Sequence, residues 1–119
     1  MSADILATLL AREDIEITTT GRRSGQARRV TVSYFLRNGH IYLTGWPNGR
    51  KRGWLANLAA DPHLIFHLRD HDLPARARII EDLGEREEIL SLIYPDLGRG
   101  ELVSRVAVSP LAEVTIEGL

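Results

Sequence analysis

Between Arg29 and Arg37 the chain alternates: Val30, Val32, Tyr34 and Leu36 fall on one side of an extended strand, and Arg29, Thr31, Ser33 and Phe35 on the other. Asn38-Gly39 follows, the strongest two-residue hairpin signal, because both central positions of a type I′ turn need positive φ. His40 to Gly45 then returns as a strand. His63 to Arg69 alternates again, with Leu64, Phe66 and Leu68 against His63, Ile65 and His67. The β-branched Glu16–Thr20, with Ala75–Glu81 and Ala112–Glu117, completes the expected strands, which makes six. Helical spacing occurs in three places: Ile5, Leu6, Leu9 and Leu10 within Ser2–Arg12; Trp54, Leu55 and Leu58 within Trp54–Ala60; and Ile89, Leu92 and Ile93 within Glu85–Ile93.

This order predicts a closed or partly closed antiparallel barrel whose ends are covered by helices. A parallel sheet is disfavoured, since the first three strands have no helical crossover between them. The 119 residues suit one compact domain, 1–119, and 44% hydrophobic content suffices for its core. No cysteine occurs, which excludes disulfides, a thiolate nucleophile and cysteine-ligated metal. Neither a signal peptide nor a run of the ~20 apolar residues that a membrane span needs is visible, so a cytoplasmic protein without an integral membrane segment is expected.

Charge changes the picture. From Ile17 to Ala60 there is no Asp or Glu, but there are Arg22, Arg23, Arg28, Arg29, Arg37, Arg50, Lys51 and Arg52, so this stretch carries +8 and the rest −9 of the net −1. Segregation of that kind produces a local positive field that attracts anions. Competing chemistry has less support. Ser24, Ser33, Ser91, Ser104 and Ser109 lack a nucleophile-elbow context. His63 and His67 share a strand face but lie roughly 13 Å apart at about 3.3 Å per residue, too far for one metal, and read as solvated polar-face residues. Glu85, Glu87 and Glu88 suit the start of a helix dipole, and no metal site is expected.

What remains is a pair of basic loops, Arg22–Arg29 and Arg50–Arg52, which a strand meander can bring to one end of the sheet. Arginine offers a planar fork of donors that matches phosphate, and glycine turns let backbone N–H groups approach an anion. Trp46 and Trp54 flank the second loop and could wall an aromatic ring system; core packing is the competing role for both.

Thr18-Thr19-Thr20-Gly21-Arg22-Arg23-Ser24-Gly25, followed by Arg28-Arg29-Val30, resembles the signature strand-turn-strand of the deazaflavin (F-420)-dependent nitroreductase and quinone reductase family. Trp54-Leu55-Ala56-Asn57-Leu58 followed by Asp61-Pro62 is similar to that family's Trp-x-x-Asn-Leu helix. The resemblance implies a mostly β fold, a six-stranded antiparallel split β-barrel of the FMN-binding, pyridoxamine-phosphate-oxidase-like type with short flanking helices. It also implies coenzyme F-420, or alternatively FMN, as cofactor. Arg22, Arg23, Arg28 and Arg29, with Arg50, Lys51 and Arg52, would hold its phosphate and side chain. The backbone at Val30, Thr31 and Val32 and at Thr44, Gly45 and Trp46 would line the ring, with Trp54 beside it. Departures from the family pattern are Thr31 in place of Pro, Arg52-Gly53 in place of His-Pro, and a C-terminal region poor in aromatic residues.

The function implied is hydride transfer from the reduced cofactor to a small quinone, nitro or enone-like acceptor. Because the cofactor carries such chemistry, no acid–base constellation is required of the protein. Catalytic residues are not identified, and Tyr94 is the one candidate for touching the acceptor. A non-catalytic flavin carrier is the alternative. A nucleic-acid-binding barrel is disfavoured by the acidic flanks and the pI of ≈ 6.4. A homodimer is expected by analogy with split-barrel proteins.

Overall fold

The computed structural model describes residues 14–45, 53–68 and 70–117. The elements run β1 (Asp14–Thr20), β2 (Ala27–Arg37), β3 (His40–Thr44), α1 (Gly53–Ala60), β4 (His63–Leu68), β5 (His71–Ile79), α2 (Leu83–Ile93), α3 (Arg99–Val108) and β6 (Leu111–Ile116). The strands close into a barrel in the order β1-β2-β3-β6-β5-β4, with each neighbouring pair antiparallel. The expected helix at Ser2–Arg12 lies outside the described residues.

The strand alternation holds. Val32 and Tyr34 of β2 and Leu64, Phe66 and Leu68 of β4 point into the barrel with Ile15, Ile17, Ile41 and Leu43. The Tyr34 and Phe66 rings meet edge to face at 6.1 Å between centroids. Asn38 at φ 52° and Gly39 at φ 79° form the tight β2–β3 turn, the positive-φ pair that the sequence signalled. At Ser33, β2 changes partner: this residue pairs with Asp14 of β1 on one side and Thr44 of β3 on the other. The six-stranded split-barrel expectation is therefore met.

A second, smaller core lies outside the barrel, where α2 and α3 pack over Tyr42, Leu111 and the outward-facing Phe35. Three expectations need correction here. The buried face of α2 runs through Arg86, Ile89, Leu90 and Ile93, so Leu92 falls off it and is 41% exposed. The phase is set by a buried arginine, which a hydrophobic count passes over. α3 was not anticipated: its N-cap is Gly98, with no side-chain capping bond, and Gly100 follows in the first turn, so the usual start signals are missing. Finally, β5 starts at His71 rather than Ala75. Pro74 sits inside it, where it withholds an N–H yet still accepts from the Glu117 amide at 2.9 Å.

Histidine 67 also departs from expectation. On the outer face of β4 its Nε2 is 2.6 Å from Thr18 Oγ1 and its Nδ1 is 2.7 Å from Asp72 Oδ1, and only 11% of the side chain is exposed. It is a clamp across three strands rather than a solvated residue. His63, 61% exposed and 3.7 Å from Glu117, fits the solvated description.

Candidate functional site

The end of β1 and the starts of β2 and β4 converge where α1 packs on the barrel. The turn between β1 and β2 is built by Gly21, whose N–H donates to Gln26 O at 2.8 Å and whose carbonyl accepts from Gly25 N–H at 2.8 Å. A Cβ at Gly21 would sit 2.8 Å from Ser24 Oγ and 3.2 Å from Gln26 O, so only glycine leaves the turn this tight. Gly25 closes it at φ +70°.

Asn57 of α1 locks this turn to the helix. Its Oδ1 accepts from the Arg22 main-chain N–H at 3.2 Å and from Arg22 Nη1 at 3.0 Å. Its Nδ2 donates to Thr19 Oγ1 at 3.2 Å, and both Asn57 and Thr19 are buried. The locked turn and helix enclose a pocket of ≈ 380 Å³. Arg22, Arg23 and Arg28 line it together with Ser24, Val30 and Trp54, and no carboxylate is among the described lining residues. Gly53 and Trp54 of α1 also line it. Neither Arg23 nor Arg28 makes an ion pair among the described residues. Such a donor set, with an apolar indole wall, suits a phosphate- or carboxylate-bearing ligand with an aromatic part.

The sequence-derived residues divide. Arg22, Arg23, Arg28, Val30 and Trp54 come together in the pocket lining. Arg29 does not: it lies on the outer face of β2, and its Nε donates to Glu16 Oε2 at 2.7 Å. Thr31 is exposed on that same face, while Val32 is buried in the barrel core. Thr44 is also buried, its hydroxyl donating to Pro110 O at 2.7 Å, and Gly45 is the last residue described before the 46–52 segment. Trp46, Arg50, Lys51 and Arg52 lie outside the described residues. Tyr94 caps α2 elsewhere on the molecule, its ring 5.6 Å from Phe35 and 4.3 Å beneath the Arg105 guanidinium carbon. It does not line the arginine pocket. Asn57, Thr19 and Gly21 were missed as site residues, although Asn57 stands in the Trp-x-x-Asn-Leu motif itself.

Residues 3–95 match the profile of the F420H(2)-dependent quinone reductase family. The chain belongs to that family. Membership makes this F-420-family chain a deazaflavin-dependent oxidoreductase. Among solved structures it is similar to the F420-H2 dependent reductase FDR-A, at 27% identity over 87% of this chain and 95% of that one, with a TM-score of 0.65. A chain described as a domain-swapped dimer matches at the same 27% identity and TM-score of 0.65, covering 87% of this chain and 81% of its own length. A candidate pyridoxamine 5′-phosphate oxidase from Listeria innocua shares the fold at 16% identity, with a TM-score of 0.70 over 96% of this chain and 91% of that one. The two pieces of the family resemblance, the arginine turn and the asparagine helix, are thus the two walls of one pocket. No helix among the described residues is long and apolar enough to cross a membrane.

Proposed function

We propose that this protein binds coenzyme F-420 with its phosphate-bearing side chain in the arginine pocket and reduces a small quinone, nitro or enone-like acceptor. The observation that carries this reading is the convergence of Arg22, Arg23 and Arg28, with no carboxylate among the described lining residues, against the Trp54 indole. When bound, the reduced deazaflavin supplies the hydride.

The protein's own residues would do the rest. Arg23 and Arg28, free of internal carboxylates among the described residues, offer charge-assisted donors to the anionic side chain. Arg22 is oriented by Asn57, which fixes one guanidinium nitrogen and leaves the remaining donors for the ligand. Val30 and Trp54 form the apolar part of the wall and exclude water from the ring. No proton-donating side chain is assigned, in keeping with chemistry that resides in the cofactor. The domain-swapped dimer among the solved structures supports a homodimer for this chain as well.

Titration of the full chain with F-420 and FMN, followed by fluorescence, tests the binding, and steady-state oxidation of reduced F-420 by a panel of quinones, nitroaromatics and enones tests turnover. Saturable F-420 binding with acceptor-dependent oxidation is expected. Absence of F-420 binding overturns the proposal, tight FMN binding alone reassigns the cofactor, and binding without turnover identifies a carrier.

A further inference from the structure

We propose that a second cavity, on the opposite side of α1, is a binding site for a small apolar carboxylate. Helical periodicity divides α1 between two cavities: Gly53, Trp54 and Asn57 face the arginine pocket, and Leu55, Ala56 and Ala59 face the other way. The second cavity measures ≈ 500 Å³ and lies between α1, the end of β5, the start of α2 and the end of α3. That volume is within the usual range for small-molecule sites. Its walls are Leu55, Ala59, Leu83, Val106, Val108 and Pro110, and Leu83 and Val108 are 66% and 51% exposed.

Two buried polar groups interrupt this apolar lining. Arg86 is 9% exposed, and Ser109 is 3% exposed. The guanidinium joins three elements by donating from Nε to Val106 O at 2.8 Å, from Nη1 to Ile80 O at 2.8 Å and from Nη2 to Ser109 O. The acceptors are all neutral carbonyls, two of them at the α3 C-terminus, whose dipole offsets part of the charge. Three of the five guanidinium N–H groups are thereby used. No carboxylate pairs with Arg86 among the described residues. Desolvation by burial lowers its pKa, the sign of a cation short of counter-charge. Ser109 Oγ is the buried side-chain atom left without a hydrogen-bond partner among the described residues.

The cavity therefore holds a buried cation and an unsatisfied hydroxyl at the base of apolar walls. A carboxylate oxygen accepts from both donor types, and the attached apolar body covers Leu83 and Val108. Glu81, the one carboxylate among the described lining residues, is exposed, so the ligand's head group belongs at the buried Arg86–Ser109 end. Arg86 has a structural role in joining the helices, so substituting it does not isolate binding; the test uses Ser109 and a groove-filling variant instead.

The full chain without cofactor is titrated with naphthoate and, in parallel, with the uncharged naphthylmethanol, by fluorescence. Saturable naphthoate binding is expected, weaker for the alcohol by about tenfold or more, the size of one charge-assisted contact. Ala59→Trp, which fills the groove from an exposed helix position, should abolish it, and Ser109→Ala should weaken it severalfold. Arg29→Ala, on the outer face of β2 and outside both cavities, should leave it unchanged. The proposal is overturned if naphthoate does not bind, if the alcohol binds equally well, if Ala59→Trp binds normally, or if Ser109→Ala binds normally. Failure of F-420 to bind in its own titration bears on the arginine pocket alone.

Discussion

Asn57 and Arg22 stand thirty-five residues apart in the chain, yet one carboxamide oxygen accepts from both the main-chain N–H and the guanidinium of Arg22. The same side chain donates to Thr19 from its nitrogen, so strand, turn and helix are held by one buried amide. Asn57→Ala removes that link and strands Thr19 and the Arg22 N–H. Urea unfolding should show a loss of ~1–3 kcal/mol, the range for buried groups left without partners. F-420 affinity should fall in the same variant, because the turn that carries Arg22 and Arg23 is released.

Neighbouring arginines should behave differently. Arg28 lines the pocket, whereas Arg29 points outward and pairs with Glu16. Arg28→Ala should weaken F-420 binding by ~1.5–3 kcal/mol, as expected for a contact with an ionised group. Arg29→Ala should leave the affinity within error and change stability little, since an exposed ion pair contributes ~0–1 kcal/mol. Fluorescence titrations of both variants check the contrast; equal effects would refute the assignment of the two faces.

Arg86 should be intolerant of any replacement. Removing its guanidinium leaves the carbonyls of Ile80, Val106 and Ser109 without their donor. Thermal and urea unfolding of Arg86→Met should show a loss of ~3 kcal/mol or more. Arg86→Lys should recover little of it, because an ammonium on a single stem cannot span three fixed acceptors.

Acid should erase one surface network. Arg78 donates to both carboxylate oxygens of Glu85, at 3.0 and 2.9 Å, and this hydrogen bonding holds the Glu85 carboxyl below its ordinary pKa. A carboxyl with a depressed folded-state pKa stabilises the protein above its unfolded-state pKa and loses that contribution as pH falls through the folded value. The stability difference between the native chain and Arg78→Ala should therefore be largest near neutral pH and shrink as pH falls through and below the ordinary carboxylate range. Added salt should shrink it as well, since both groups are partly exposed. Unfolding midpoints across that pH series provide the check.

The barrel could be read from the sequence because its signals are local. Alternation along β2 and β4 and the Asn38-Gly39 turn each depend on residues a few positions apart. The elements that escaped do so for equally local reasons. α3 begins on Gly98 and Gly100, which weaken a helix start, and β5 contains Pro74, which a strand pattern discounts. The site was half legible. Charge segregation exposed the arginines, but alternation alone did not settle that Arg28 would face the pocket and Arg29 would not. Asn57 contributes through partners far away in sequence, and Arg86 reads as a surface charge until the helices are packed around it.

The partner change at Ser33 has one more result. From Ala27 to Val32, β2 is paired with β1 on one side and with no described strand on the other. An unpaired strand edge is a template that a second chain can extend into a sheet. Arg28 and Arg29 stand on this edge, so a copy approaching it in register would bring arginine against arginine. The cations of this edge thus also discourage edge-to-edge aggregation, and neutralising both should be felt first as lost solubility at high protein concentration.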